Sequence, residues 1–579
     1  MIGILRIGGR TMKRGKPAIL LMTVLLVAII GVFGMEEFRN QDFPFLVVVN
    51  SDGVQEELRC VELDGEYYVF LPGYVRREQT YFRTNFLNQV YIEGKRLTEK
   101  ISCEEFPLDT ELEMMVLTLG YEDWRDVTFL QSGNVPTMYI DVASGSMDHI
   151  HARKGNKESG MMRLYSADGR LEDVSVVESL RGRGNSTWEW CKKKPYSMRL
   201  GQELDLLGMG KADNWVLLAN AFDESQIKDK LAYDLARDAG MPYTPECQWV
   251  DLYLNGSYAG LYLLSERNEI HPERVDIPAE SSVLVSWEPE HRMIDQGYPY
   301  VMTERGRSVR IHHSGIDLET VEKLWQSAEN AIYAENGMDP VTGKHWQELI
   351  DLDSWAMLFL MDEIPADYDG GGNSKFFYYN ASEDSGKIYA GPIWDKDDAF
   401  STGAWELAPP NSLAASRRPG RMFTVLYEKE DFSDRVAQLY GSIFLPLLKE
   451  QNHSGIDAYT EQIRQAAYSN AIRWDMDDPE EACRIVADFL AERTEILEDY
   501  WCNDEEFCVV SVHDTCAGGI GKFLVRPGDY LPEIPMYEGC GYFLEGTDIQ
   551  FDILQPITAD ADIVLEELSK HSLQGSSTK

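Results

Sequence analysis

The chain has 579 residues, too many for one hydrophobic core, so three or four domains are expected. Asp and Glu number 97 against 54 Lys and Arg, a formal charge of −43. Such a surface repels phosphate backbones and argues against nucleic acid as a partner.

Lys13, Arg14 and Lys16 precede a nearly unbroken apolar run from Pro17 to Met35. This reads as a signal anchor or signal peptide over 1–35, which places the rest outside the cytoplasm, at the cell surface or secreted. Short β-prone runs punctuated by Gly, Asp and Asn, such as Phe45–Val49 and Tyr67–Leu71, predict a β-rich domain over 36–134.

A new rhythm begins near Val135. Val174–Leu180 ends on Arg181-Gly-Arg-Gly, and Pro195–Leu200 then alternates as a strand, with Lys194 on its apolar parity. Asp223-Glu-Ser-Gln226 is a capping pattern that predicts a helix through Ala239, stopped by Gly240. Asn255-Gly256 between two β-prone runs predicts a hairpin. Leu318–Tyr333, Asp351–Met361, Asp457–Ala471 and Pro479–Trp501 read as helices, and Lys375–Asn380 and Lys387–Trp394 as strands. Residues 504–568 read as short strands with glycine turns, and 569–579 as a tail.

Nine cysteines, with no CxxC pair, predict neither a disulfide scaffold nor a zinc site. Cys508–Cys516 and Cys516–Cys540 are both open as bridges, and free buried thiols are the alternative. No GxSxG or HExxH occurs, and His312-His313 lacks a third ligand at useful spacing.

Two segments carry the chemistry. Arg181, Arg183 and Asn185 lie on a glycine turn that offers backbone N–H groups and guanidinium forks to phosphates. Lys193 and Lys194 follow about ten residues on, and an inward lysine needs an anion or a path to solvent. Asp369-Gly-Gly-Gly-Asn373 spends backbone entropy on a loop suited to close approach by a ligand. Asp395 and Asp397, in Trp-Asp-Lys-Asp-Asp, supply hard oxygens of the kind Mg²⁺ prefers. Phosphoryl transfer is the chemistry these parts permit.

RGRGNSTW, KKPYSMRL, LLGMGKADNWVLLANAFDESQIKDKLAYDLA, VDLYLNGSYAGLYLLSE and GPIWDKDDAFSTG together resemble the CotH family of spore-coat-protein-H-like atypical kinases, over residues 135–503. The resemblance implies an α+β fold: a divergent protein-kinase-like two-lobed domain, here flanked by small all-β domains. It implies ATP and Mg²⁺ as cofactors and transfer of the γ-phosphoryl group to Ser or Thr of a secreted or surface protein. By motif, Lys194 resembles the phosphate-pairing lysine, with Lys193 a competitor, and Asp369 the residue that orients the acceptor hydroxyl. Asn373 resembles the neighbouring asparagine, and Asp395 and Asp397 the metal aspartates. Glu266 matches a recurring family glutamate at the nucleotide cleft. The loop departs from the pattern in its three glycines, and no HRD or DFG triplet exists. The C-terminal segment is similar to bacterial β-grasp repeats of surface proteins. An acidic enzyme suggests a basic, Ser-rich protein acceptor, with the membrane approached through the N-terminal apolar segment. The rivals are a catalytically inactive surface-binding protein and a transferase moving AMP.

Overall fold

A computed structural model of the chain describes residues 43–85, 88–367, 372–382, 386–400, 409–416, 418, 420–451, 455–503, 505–516 and 518–569. The predicted signal segment, Asp369 and the residues beyond Ser569 lie outside this set. Among the described residues no helix is long and apolar enough to cross a membrane. The chain divides into two units, Met1–Phe70 with Arg76–Leu130 and Leu71–Val75 with Gln131–Lys579.

The first unit is all β among its described residues, apart from two single-turn 3-10 segments. β1 (Phe45–Ser51) pairs antiparallel with β2 (Val54–Arg59) and β5 (Tyr81–Thr84). A second sheet runs β3-β4-β9-β8-β6-β7 and comprises Val61–Leu63, Glu66–Leu71, Tyr121–Gln131, Glu111–Thr118, Asn88–Ile92 and Lys95–Arg96.

The second unit is mixed α and β. Strands β10 (Thr137–Val142), β11 (Lys157–Tyr165), β12 (Leu171–Gly182), β13 (Tyr196–Asp205), β14 (Lys211–Leu218), β15 (Cys247–Leu254) and β16 (Ser257–Glu266) lie in the order β14-β13-β12-β11-β10-β15-β16. β14 also pairs with β16, so this part of the sheet closes on itself. The β15–β16 turn is the predicted Asn255-Gly256, whose positive φ values of 50° and 79° are those a two-residue hairpin needs. Tyr196, Met198 and Leu200 of β13 are buried, as the alternation predicts.

The capping pattern places the next helix too early. It runs Lys228–Asp238, and the Asp223 carboxylate reaches forward to accept the Lys228 N–H at 2.9 Å. A five-stranded sheet then runs β18-β19-β17-β20-β21, from Tyr300–Met302, Ser308–Ser314, Ser282–Trp287, Lys375–Asn380 and Ile388–Ala390. Helices Leu318–Tyr333, Leu352–Glu363, Ile456–Trp474 and Pro479–Trp501 contribute to the adjoining core, centred on Trp287, Trp325, Trp355 and Phe377. Strands β22 (Cys508–Asp514), β23 (Ile520–Val525), β24 (Cys540–Leu544) and β25 (Ala561–Glu567) form a small last sheet, with β22 parallel to β25.

One buried acid in the closed sheet has a stability consequence. Asp251 is fully buried on β15 and accepts the Tyr258 hydroxyl at 3.0 Å. Burial pushes its carboxyl up to about 7, despite the Tyr258 hydrogen bond that acts to lower it. The unfolded chain ionises near the ordinary value, so this group erodes stability as pH rises from about 4 to about 7. Asp251→Asn is expected to flatten that slope. Urea denaturation should show the variant roughly 1–3 kcal/mol more stable relative to wild type at pH 8 than at pH 4.5. Equal effects at both pH values would mean that Asp251 is ionised in the fold.

Candidate functional site

The second unit holds a cavity of about 560 Å³. The end of β12 supplies Arg181, and the turn after it Arg183 and Asn185. Its glycines are needed: a Cβ on Gly182 would meet the Trp188 ring at 2.3 Å, and Gly184 sits at φ 75°. The residues after β16 supply Arg267 and Asn268, and β19 supplies Arg310 and His312. Facing them in the same lining are Asp229 from the helix Lys228–Asp238, Asn373 and Ser374 before β20, and Trp394, Asp395, Asp397 and Asp398. Arg292, Arg418 and Arg421 complete the cationic lining with Lys154.

One wall is dominated by guanidiniums, with Glu288 the carboxylate among them, 3.7 Å from Arg292. Among the described residues, Arg181, Arg267 and Arg310 make no ion pair. Burial lowers the Arg310 guanidinium, Tyr298 and Glu288 oppose this, and Arg267 and Arg181 add like-charge repulsion. Arg310 lies 3.8 Å from the Tyr298 ring centre. His312 accepts or donates a 2.9 Å hydrogen bond with Ser286, and burial with Arg310 and Arg267 keeps its imidazole neutral by lowering it well below the usual range. Lys154 Nζ donates to the Gly184 carbonyl at 2.7 Å. Burial lowers its ammonium; Glu189 opposes, while Arg292, Arg310 and Arg183 assist.

The other wall is a cluster of mutually repelling acids. Burial pushes the Asp229 carboxyl up to about 7; the Lys396 N–H and Arg183 pull down, and Asp395 and Asp223 push up. Asp397 is raised well above the ordinary range by burial and by Asp229, Asp395 and Asp398. Asp395 accepts the Ser374 hydroxyl at 2.8 Å. Arg183 spans the two walls: its guanidinium lies 5.1 Å from the Trp394 ring, and it is attracted by Asp395 and Asp229. Among the described residues, no three His, Cys, Asp or Glu side chains already converge as a metal-holding group. A divalent cation would therefore be held by one or two carboxylates, with remaining positions left to a ligand's oxygens or water, which is the habit of Mg²⁺.

Beneath the acids lies a buried square of charge. Lys375 Nζ is 2.7 Å from Asp362 and 2.9 Å from Asp367. Lys396 Nζ is 2.6 Å from Asp362 and also bonds Asp367. All four side chains are at most 3% exposed. Burial opposes ionisation of Asp367, but Lys375 and Lys396 overcome it and hold the carboxyl far below its usual range. Asp367 stands two residues before Asp369 in the sequence, and Lys396 between Asp395 and Asp397. The square thus fixes the frame on which the acid cluster stands.

The structure brings together Arg181, Arg183, Asn185, Asn373, Asp395 and Asp397 in one lining. It does not bring in the two predicted lysines, and this corrects their expected placement. Lys194 donates to the Trp188 carbonyl at 2.5 Å and lies 5.4 Å from that ring, outside the cavity. Lys193 is buried in a separate place, where it donates to the Leu261 carbonyl at 2.6 Å and to Gln226 at 3.1 Å. The lysine that does reach the cavity is Lys154, which carried no motif. Glu266 is also elsewhere: it pairs with Arg274 at 2.5 Å, and burial raises its carboxyl to about 7 against that partner. Side chains alternate at a strand end, so it is the next residue, Arg267, that faces the cavity. Asp229 was missed because an acid in a first helical turn ordinarily serves the helix dipole.

A family model described as CotH kinase protein matches residues 180–497, which contain nearly the whole cavity lining. No curated protein matches the chain at a significant level.

Proposed function

We infer, from a chain that belongs to the CotH kinase protein family, that the cavity binds ATP and transfers its γ-phosphoryl group to a Ser or Thr hydroxyl of a protein outside the cytoplasm. The observation that carries this reading is one cavity lined on one side by unpaired guanidiniums and on the other by repelling carboxylates. A nucleotide triphosphate with a divalent cation neutralises both walls at once. Arg181, Arg267 and Arg310 would receive phosphate oxygens, with Lys154 bracing the glycine turn. Asp395 and Asp397, with Asp229 behind them, are the oxygen donors that fit Mg²⁺, which when bound would offset charge on the phosphates. Asp369 keeps the role its motif implies, orienting the acceptor hydroxyl. The closed β-sheet and the helical half would serve as the two lobes of a kinase-like domain.

Thermal denaturation with and without ATP and Mg²⁺ tests this directly. A hundredfold excess over Kd should add about 2.7 kcal/mol of stability, and no gain at any nucleotide concentration would refute the reading. The lysines give a sharper contrast. Lys154→Met is expected to weaken nucleotide-dependent stabilisation roughly tenfold in apparent Kd, the loss of one charge-assisted contact, and Lys194→Met to leave it unchanged. The reverse pattern would restore Lys194 to the phosphate role.

One observation favours a second reading, a nucleotide-independent surface-binding protein: Lys194 stands outside the cavity. The absence of any phosphorylated product by mass spectrometry, with the fold intact, would select it.

A further inference from the structure

The C-terminal module is a four-stranded sheet over a small core around Val510, Val512, Phe523, Tyr542, Ile563 and Leu565. Its order is β23-β22-β25-β24, so β22 and β24 flank β25 and make no hydrogen bonds to each other. Between β23 and β24, residues 526–539 contain neither helix nor strand, and Tyr530, Met536 and Tyr537 are exposed there. A core of this size leaves little margin, and small exported modules commonly add a covalent staple.

Cys516 lies in the turn after β22, and Cys540 is the first residue of β24. Their Sγ atoms are 2.9 Å apart, and Cys516 is exposed. The other pairing open from sequence fails on geometry. Cys508 opens β22 and Cys516 lies in the turn past its far end; the strand alone spans roughly 20 Å at 3.3 Å per residue, beyond disulfide reach. We propose that Cys516 and Cys540 are a disulfide-forming pair, oxidised by thiol–disulfide exchange, whose bond clamps the turn after β22 to the start of β24 past the end of β25.

The exchange balances. One thiolate attacks a sulfur of a small disulfide donor and expels a thiolate, giving a mixed disulfide. The second cysteine, deprotonated, attacks the protein sulfur and expels the other donor half. The donor leaves as two thiols, having gained the two electrons and two protons that the cysteines lose. The Cys516 thiol is raised to about 11 by its hydrogen bond with Cys540, by burial and by Asp514 and Glu567, so uncatalysed exchange at neutral pH is slow and quickens as pH rises.

The test uses the whole chain, purified under reducing conditions and then incubated at pH 8.5 with oxidised glutathione. Alkylation and peptide mapping without reduction should show Cys516 linked to Cys540, and the other accessible thiols, Cys191 and Cys502, still free of that link. Hydrogen exchange across residues 526–539 should slow on oxidation, and the module's unfolding temperature should rise on the order of 10 °C. Cys516→Ser and Cys540→Ser should each abolish the shift. The oxidised and reduced wild type give the same comparison if a variant fails to fold. Cys516 and Cys540 both fully alkylatable after treatment, carrying only glutathione, or linked to other cysteines, would overturn the proposal.

Discussion

Lys396→Met should destabilise the second unit by about 3–5 kcal/mol, read as a large fall in the midpoint of chemical denaturation. The substitution deletes one corner of the buried square and leaves Asp362 and Asp367 with a single ammonium between them. Neither carboxylate can reach water, since both are at most 3% exposed. A buried charge without its partner is the costly case, far costlier than the pair is beneficial. Asp362→Asn should cost a similar amount by stranding the ammoniums instead. The damage also reaches the site, because Lys396 separates Asp395 from Asp397 and its own N–H is held by Asp229 at 2.7 Å. A loss under 1 kcal/mol for either variant would mean that water or a second conformation relieves the square.

Asp395→Asn is expected to do the opposite to stability and far more to activity. Asp395 is exposed and holds the Ser374 hydroxyl, a bond an amide can keep. Its charge pushes up both Asp229 and Asp397, so neutralising it relieves repulsion within the cluster. The unfolding temperature should stay level or rise by a few degrees. Turnover of ATP should fall ~10³-fold or more, since an amide is a poor ligand for a hard cation and a poor counter to charge on phosphates. The sign also holds across pH. Asp229 is protonated in the fold up to about 7 and erodes stability as pH rises toward that value. Without its neighbour, that erosion should shrink. A variant that is both less stable and fully active would remove Asp395 from the proposed role.

The elements whose signal is local were legible before the fold was known. The Asn255-Gly256 hairpin, β20 and the helices Leu318–Tyr333 and Pro479–Trp501 each follow from their own periodicity or turn chemistry. The acid segment was legible too, because Asp395 and Asp397 are close in the chain and flanked by an apolar strand. What sequence did not reveal depends on distant partners. Lys154 lies outside every motif and enters the cavity only because β11 and β12 bring its loop beside the glycine turn. Lys194 looked inward by parity, yet it precedes β13 by two residues, where alternation no longer holds. Lys396, between two aspartates, reads as a solvated face, and Lys375, at the start of a strand, reads as a lysine whose ammonium reaches water, so neither gave a sign of burial.

The four-cornered charge arrangement has a consequence for how this sequence can change over time. Neutralising any one corner strands an opposite charge, so each single step is deleterious. A coordinated replacement of one lysine and one aspartate by apolar residues of similar volume should be tolerated far better. In relatives of this chain, positions 362, 367, 375 and 396 are therefore expected to vary together or not at all.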